Sequence, residues 1–183
     1  YGDKLIVNLV GGSGGGHSGI SSGNSGGGGG AIGFKVTGSF SLKSNGSISV
    51  RGGLGQTYGI GLGAGGSGGA IRIEAGSISN VGILDARGGD ALGATFLAGA
   101  GGGGRVSLLS RGSINAGIVQ INGGDNSPQD QLLQAKGGTF IEVPSPTLPI
   151  ISPSSLTYGS EVSSLDLGQT SGLSYTVSGL PSG

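Results

Sequence analysis

Two serines lie in the pattern Gly-x-Ser-x-Gly, which in esterases holds a nucleophilic serine. Gly11-Gly12-Ser13-Gly14-Gly15 and Gly65-Gly66-Ser67-Gly68-Gly69 both match it. The pattern does chemistry only when a strand, a tight turn and a helix surround the serine and a histidine accepts its proton. The chain has one histidine, His17, and glycine is so frequent that such matches arise by chance. We therefore predict that the chain is not an enzyme.

Two aspartates, Asp90 and Asp125, each follow directly on a pair of glycines. If they occupy equivalent positions in neighbouring repeats, their chains lie about 4.8 Å apart and the two carboxylates repel each other. Water can solvate both charges, in which case the protein needs no cofactor. Alternatively a cation bridges them, and calcium suits carboxylate and carbonyl oxygens. The sequence leaves both interpretations open, with Asp90 and Asp125 as the metal ligands in the second.

The composition excludes several classes of protein. Glycine supplies 47 of 183 residues, and cysteine, methionine and tryptophan are absent. Nine basic and nine acidic residues balance, so no nucleic-acid partner is predicted. No run of 18 apolar residues occurs, so no membrane span is predicted in this segment. Zero net charge and alternating aliphatic runs also argue against simple disorder.

A repeat of about 35 residues organises the chain. Three apolar runs, each preceded by glycines, begin at Ala31, Ala70 and Arg105, and a shorter fourth run begins at Thr139. The runs start 39, 35 and 34 residues apart. Each complete repeat continues with a Gly-Ser step and then a second apolar run that ends in Gly-Gly. Apolar and polar residues alternate with a period of two, which predicts β-strands.

One such repeat cannot bury its apolar face alone, and stacking of equivalent repeats provides a shared interior. We predict an all-β fold, a parallel β-helix or β-solenoid over residues 1–143. The residues predicted to point inward are Ile71, Ile73, Ile78, Leu84, Val106, Leu108, Ile114, Val119 and Ile121. The glycine tracts are either flexible loops or ordered extended segments of the polyglycine II type, joined laterally by hydrogen bonds.

The composition changes at Pro144, where a proline-rich stretch predicts an extended linker over residues 144–155. Beyond it, residues 156–183 contain the runs Leu156-Thr157-Tyr158-Gly159 and Val177-Ser178-Gly179-Leu180-Pro181. These runs resemble the opening of bacterial immunoglobulin-like modules found in large surface proteins. A complete sandwich needs about 100 residues. The segment is therefore expected to be a partial immunoglobulin-like module or a strand donated to another chain.

The repeats of residues 31–143 resemble glycine-rich repeats of large secreted or surface-anchored microbial proteins, which share the pattern Gly-Gly-Ala-Ile-x-Ile found at Gly68–Ile73. The resemblance implies an extracellular or cell-surface location and a role in a stalk, filament or adhesin. Because the sequence starts and stops within a repeat, head-to-tail stacking of copies is expected. The predicted function is a structural component that assembles by stacking or strand exchange. The alternative is an adhesin that contacts a receptor or surface glycan through glycine-rich loops. Asn45-Gly46-Ser47 also fits the pattern of a glycosylation acceptor.

Overall fold

The computed structural model describes residues 5–17, 23–56, 63–92, 98–125 and 135–144. The chain divides into two units, Tyr1–Pro146 and Thr147–Gly183, and the described residues all lie in the first. The predicted linker beyond Pro144 and the segment 156–183 lie outside the described residues.

Short strands, without any helix, make up the regular structure of the described residues. All but β4 and β8 follow the predicted apolar runs, because β-branched residues that alternate with polar ones suit a sheet with one buried face. The strands are β1 (Ala31–Lys35), β2 (Ser39–Leu42), β3 (Ser47–Ser49), β4 (Gly55–Gln56), β5 (Ala70–Ala75), β6 (Ser77–Asn80), β7 (Ile83–Asp85), β8 (Ala91–Leu92), β9 (Arg105–Ser110), β10 (Ile114–Asn115), β11 (Ile118–Gln120) and β12 (Thr139–Pro144).

Equivalent strands of successive repeats pair side by side, and every pair is parallel. The sheet orders are β1-β5-β9-β12, β2-β6-β10, β3-β7-β11 and β4-β8. In the four-stranded sheet Ile71 has Ile32 and Val106 as its Cα partners, and Val106 in turn has Phe140. The register that the repeat predicts is therefore confirmed.

The prediction of a parallel β-helix or β-solenoid over residues 1–143 is wrong. The described strands form four separate parallel sheets, and no closed or solenoid sheet joins them. The physical reason lies in the connections. Glycine-rich segments separate the strands of one repeat from those of the next, and their backbone groups bond with a period of three residues instead of the period of two that a strand requires. The class all-β is retained, and the architecture is a set of parallel sheets beside a bundle of glycine segments.

The hydrophobic core lies between the three larger sheets. Ile71, Ile73, Ile78, Leu84, Val106 and Leu108 are at most 1% exposed. The other residues predicted to point inward, Ile114, Val119 and Ile121, are partly buried and pack against this core. The inward set predicted from the alternation is thus confirmed, and burial is deepest in the middle repeat because it has a repeat on either side.

Extended glycine-rich segments lie side by side and form what we call the glycine bundle. Its segments are residues 11–16, 24–30, 50–56, 63–69, 86–91, 99–104, 121–125 and 136–138. The central segment, 63–69, exchanges backbone hydrogen bonds with five others: 11–16, 24–30, 50–56, 86–91 and 99–104. Lateral hydrogen bonds between glycine tracts, one of the two alternatives that the sequence left open, are therefore present.

The hydrogen bonds of the central segment repeat every third residue. Gly65 and Gly68 donate to one neighbour, at Gly99 and Gly102, each over 2.9 Å. Gly66 and Gly69 donate to a second neighbour, at Gly53 and Val50, over 3.0 and 2.8 Å. Ala64 and Ser67 donate to a third, at Gly16 and Ser13, over 3.0 and 2.9 Å. A period of three is that of a polyproline II-like helix, which has no internal hydrogen bonds and so must bond sideways.

Close approach of the segments explains why two residues in three are glycine. A Cβ atom added at Gly66 would overlap the carbonyl oxygen of Gly27, and one added at Gly101 would overlap that of Gly66. By contrast, a Cβ added at Gly27 itself meets nothing within 4 Å. Side chains are accommodated where the backbone faces outward, which occurs at every third position.

Candidate functional site

The two serines of the esterase-like pattern lie together in the glycine bundle. Ser13 and Ser67 have hydroxyl oxygens 3.1 Å apart, and the Ser13 amide donates to the Ser67 hydroxyl over 2.7 Å. Both sit in extended segments, so the strand-turn-helix geometry of a nucleophile is not formed at either. His17 is exposed and forms an isolated antiparallel bridge with Gly63. The serines thus act here as a polar cross-link between two segments.

The structure places Asp90 and Asp125 in adjacent repeats, with the Asp125 amide donating to the Asp90 carboxylate over 2.9 Å. The Asp90 carboxylate also forms a 2.6 Å ion pair with the Arg51 guanidinium. Arg51 therefore supplies a positive charge to the Asp90 carboxylate. No cluster of three or more acidic or histidine side chains that could hold a metal lies within the described residues. The calcium site remains a prediction.

A second ion pair lies where β7 enters the glycine bundle. The Arg87 guanidinium donates two hydrogen bonds to the Asp85 carboxylate, each over 2.9 Å, and the Arg87 amide donates a third over 3.1 Å. Asp85 is only 7% exposed. These hydrogen bonds hold the pKa of the Asp85 carboxyl below its ordinary value, although burial opposes the shift. The pair anchors the end of β7.

Asn45, the predicted glycosylation acceptor, is exposed in the turn between β2 and β3. This turn is closed by a 2.8 Å hydrogen bond from the Gly46 amide to the Lys43 carbonyl. The asparagine side chain is therefore accessible, and glycosylation at this position stays a prediction. Among the described residues no helix has the length and apolar character needed to cross a membrane.

Comparison with protein-family models, with curated proteins and with solved structures finds no match to this chain. The resemblance to microbial surface proteins therefore rests on the sequence patterns alone.

The core is incompletely buried at the two end faces of the stack. The first end face belongs to the repeat that contains β1, and the last end face to the repeats that contain β10, β11 and β12. At the first end, side chains that are buried in the middle repeat are only half-buried: Ile32, Phe34, Phe40, Leu42 and Ile48. At the last end, the corresponding half-buried side chains are Ile114, Val119, Ile121 and Phe140. In the four-stranded sheet, the apolar column Ile32–Ile71–Val106–Phe140 therefore continues to both end faces and is incompletely covered there. The neighbouring column of Phe34, Ile73 and Leu108 ends at Glu142.

The sheet edges coincide with these end faces. Within the described residues, no strand pairs with the outer edge of β1 or of β12. The Thr139 amide donates to Gly104 of the preceding repeat, so the amides of Phe140 and Glu142 point to the outer edge because neighbouring residues of a strand alternate in direction. By the same alternation, the amides of Ala31, Gly33 and Lys35 point outward at the first end. Sequence reasoning predicted stacking but not these particular donors, since their direction follows from the pairing.

The last end face has a step. The sheet β1-β5-β9-β12 has four strands, whereas the sheets that end in β10 and β11 have three. One strand position beside each of β10 and β11 is therefore open among the described residues. The exposed side chain of Ile118, which is 53% exposed, lies on β11 at this step.

Proposed function

We propose that the chain is a structural component of an extracellular filament, stalk or surface layer, in which copies join head to tail or by strand exchange. The observation that supports this most directly is the apolar column of the core, which is sealed in the middle repeat and half-exposed at both ends. Exposed apolar surface and unpaired strand edges favour association. Because the two ends differ, the contact is heterologous and propagates into a filament.

The proposed contact places β1 of one copy beside β12 of another. The outward amides and carbonyls of the two edges would form the same parallel ladder that joins β9 to β12 within one chain. Phe140 would then pack against Ile32 of the next copy, continuing the column that runs through Ile71 and Val106. The open strand positions beside β10 and β11 would be filled by a strand from the neighbouring copy. Residues 156–183 are the proposed donor, because their apolar and polar residues alternate.

The edge contact is tested by removing single outward amides. Glu142→Pro removes a donor from the β12 edge, and proline is tolerated at the outer edge of a sheet. Ala31→Pro does the same at the β1 edge. Glu142→Ala and Ala31→Ser are the matched controls, since they change the same exposed side chains and keep the amides. Sedimentation velocity over a range of concentrations should show assembly of the wild type and both controls, with assembly at least about tenfold weaker in the proline variants.

A mixing experiment then separates head-to-tail contact from other association. Each proline variant retains one intact end, so a one-to-one mixture of the two should form dimers that do not grow further. Removal of residues 156–183 tests strand exchange in the same assay. Assembly that is unaffected by either proline and by the truncation contradicts the proposal, as does a wild type that stays monomeric at millimolar concentration.

A further inference from the structure

A depression of about 330 Å³ lies at the carboxyl ends of the strands of the four-stranded sheet. It extends over successive repeats, since β1, β5, β9 and β12 all contribute side chains. The lining residues that matter for binding are Lys35, Arg72, Glu74, Leu109, Arg111 and Val143. The depression lies away from the serine pair and from Asp90, and it belongs to the sheet instead of the glycine bundle.

Positive charge is concentrated in this depression. Three of its side chains are cationic and Glu74 alone is acidic, in a chain whose net charge is zero. Glu74 is shared: its carboxylate lies 3.6 Å from the Lys35 ammonium and 3.3 Å from the Arg72 guanidinium. Arg111 is exposed and forms no ion pair among the described residues. A single carboxylate does not neutralise three cations, so the side chains that line the depression carry a net positive charge.

The Arg72 guanidinium is held in place from a second direction. It donates a 3.2 Å hydrogen bond to the carbonyl oxygen of Ile6, a residue that is 1% exposed. The chain near Ile6 crosses the outer face of this sheet, since a Cβ added at Gly33 would meet the Leu9 side chain. Arg72 is thus oriented before any ligand arrives, which reduces the ordering cost of binding.

The shape and the remaining lining indicate the class of ligand. Small-molecule sites begin at about 300 Å³, more than a bare inorganic anion fills. The walls provide apolar contacts from Leu109 and Val143 as well as the hydroxyl of Thr37. An acidic sugar residue has the matching parts: a carboxylate for the cations, hydroxyl groups for Thr37, and a ring face with C–H groups for the apolar wall.

We infer that this depression binds the carboxylate of an acidic sugar residue, a uronate, with Lys35, Arg72 and Arg111 as the anion-binding groups. The Glu74 carboxylate competes with the ligand for Lys35 and Arg72. A single uronate residue therefore binds weakly. Because the depression recurs with each copy, an assembled chain would present many such sites and bind an acidic polysaccharide through multivalency. The single site does not depend on assembly.

The test uses the ¹⁵N-labelled full chain at a concentration where it is monomeric, with trigalacturonate as the probe. Amide chemical shifts of Thr37, Gly76 and Arg111 should change saturably. The methyl-esterified trisaccharide, which keeps the sugar and loses the charge, should bind at least about tenfold more weakly. Arg111→Gln and Lys35→Gln should each weaken binding of the acid by about five- to tenfold, the effect of one charge a few ångströms away. The matched control Lys43→Gln, an exposed lysine in the β2–β3 turn, should leave it unchanged.

Glu74→Gln should change the affinity in the opposite direction. It removes the carboxylate that pairs with Lys35 and Arg72, so trigalacturonate should bind about threefold more tightly or better. A merely structural role of Glu74 would weaken binding instead. Equal binding of acid and ester, or no effect of Arg111→Gln and Lys35→Gln in folded variants, overturns the anion site. Equal affinity for sulfate or for triglutamate overturns the assignment to a sugar.

Discussion

Gly66 lies at the centre of the glycine bundle, and the bundle predicts that alanine is not tolerated there. A Cβ at this position would overlap the carbonyl oxygen of Gly27, which belongs to a neighbouring backbone and cannot rotate away as a side chain would. The Gly27 oxygen also accepts a 2.7 Å hydrogen bond from the Gly53 amide. To admit a methyl group, segments 24–30 and 63–69 must separate, which stretches the 2.9 Å hydrogen bonds from the Gly26 and Gly29 amides to segment 63–69.

The cost follows from two contributions. Overpacking of a tight interior costs about 1–3 kcal/mol, and a weakened backbone hydrogen bond adds about 1 kcal/mol. We therefore expect Gly66→Ala to lower the free energy of unfolding by about 2–4 kcal/mol, a large part of the ~5–15 kcal/mol that stabilises a typical protein. For a chain of this size the Tm should fall by about 5–15 °C.

Gly27→Ala is the matched control, because it makes the same chemical change in the same bundle where nothing lies within 4 Å of the new methyl group. Gly27 does not adopt a positive φ. Alanine there should be neutral or stabilise by up to about 1 kcal/mol, since it restricts the unfolded chain. Urea unfolding followed by circular dichroism measures both variants. If Gly66→Ala is as stable as Gly27→Ala, the close packing of the segments is refuted.

Three further predictions use the same unfolding assay. Gly117→Ala should lower the free energy of unfolding by about 1–3 kcal/mol, because φ is 59° and the added methyl overlaps the Asn80 carbonyl. Gly38→Ala is the control, since nothing lies within 4 Å of a methyl group there. A loss at Gly117 no larger than that at Gly38 would contradict this prediction. Ile73→Ala should lower the free energy of unfolding by about 2–5 kcal/mol. Ile118→Ala, at a position 53% exposed, should lower it by under about 1 kcal/mol. Equal losses in the two variants would contradict the assignment of Ile73 to the core. Asp85→Asn should destabilise by about 1 kcal/mol at pH 7 after allowance for solvent screening. Because the folded pKa of Asp85 is lowered, its contribution is full above the unfolded pKa and is lost as the pH falls below about 4, so the difference from wild type should shrink there. A difference that is constant from pH 7 to pH 2 would contradict the ion pair.

The sequence was sufficient to predict the strands of the three larger sheets, their register and the buried face, but not the two-stranded sheet of β4 and β8. These follow from local alternation of apolar and polar residues, and from a repeat long enough to align Ile71 with Val106. Each of these features depends on residues that recur at the same place in every repeat.

The parallel β-helix or β-solenoid was wrongly predicted because the repeat of about 35 residues was interpreted as one coil, while the conformation of the glycine tracts within it was left open. Their own signal is a period of three, with two glycines after each outward residue, as in Arg51-Gly52-Gly53-Leu54 and Arg87-Gly88-Gly89-Asp90. That pattern is short and interrupted, so it is obscured by the longer repeat. Read as a helix of three residues per turn, it predicts laterally bonded segments instead of a continued sheet.

The surroundings of individual charges could not be predicted from the sequence. Asp90 pairs with Arg51, which lies 39 residues earlier, and this partner depends on how adjacent segments are offset. The burial of Ile6 likewise results from the path of the chain over the outer face of the sheet, where no repeat exists to reveal it. The first feature depends on the offset between equivalent segments of successive repeats, and the second on a tertiary contact between unlike segments.

Hydrogen exchange of the glycine amides measures the bundle most directly. Gly65, Gly66, Gly68 and Gly69 each donate a backbone hydrogen bond to a neighbouring segment, whereas the Gly27 amide donates none among the described residues. In a ¹⁵N-labelled sample placed in D₂O, those four amides should exchange as slowly as the amides of strand β5, and Gly27 should exchange quickly. Exchange of all five at the rate of an unstructured peptide would contradict the ordered bundle on which this account of the fold depends.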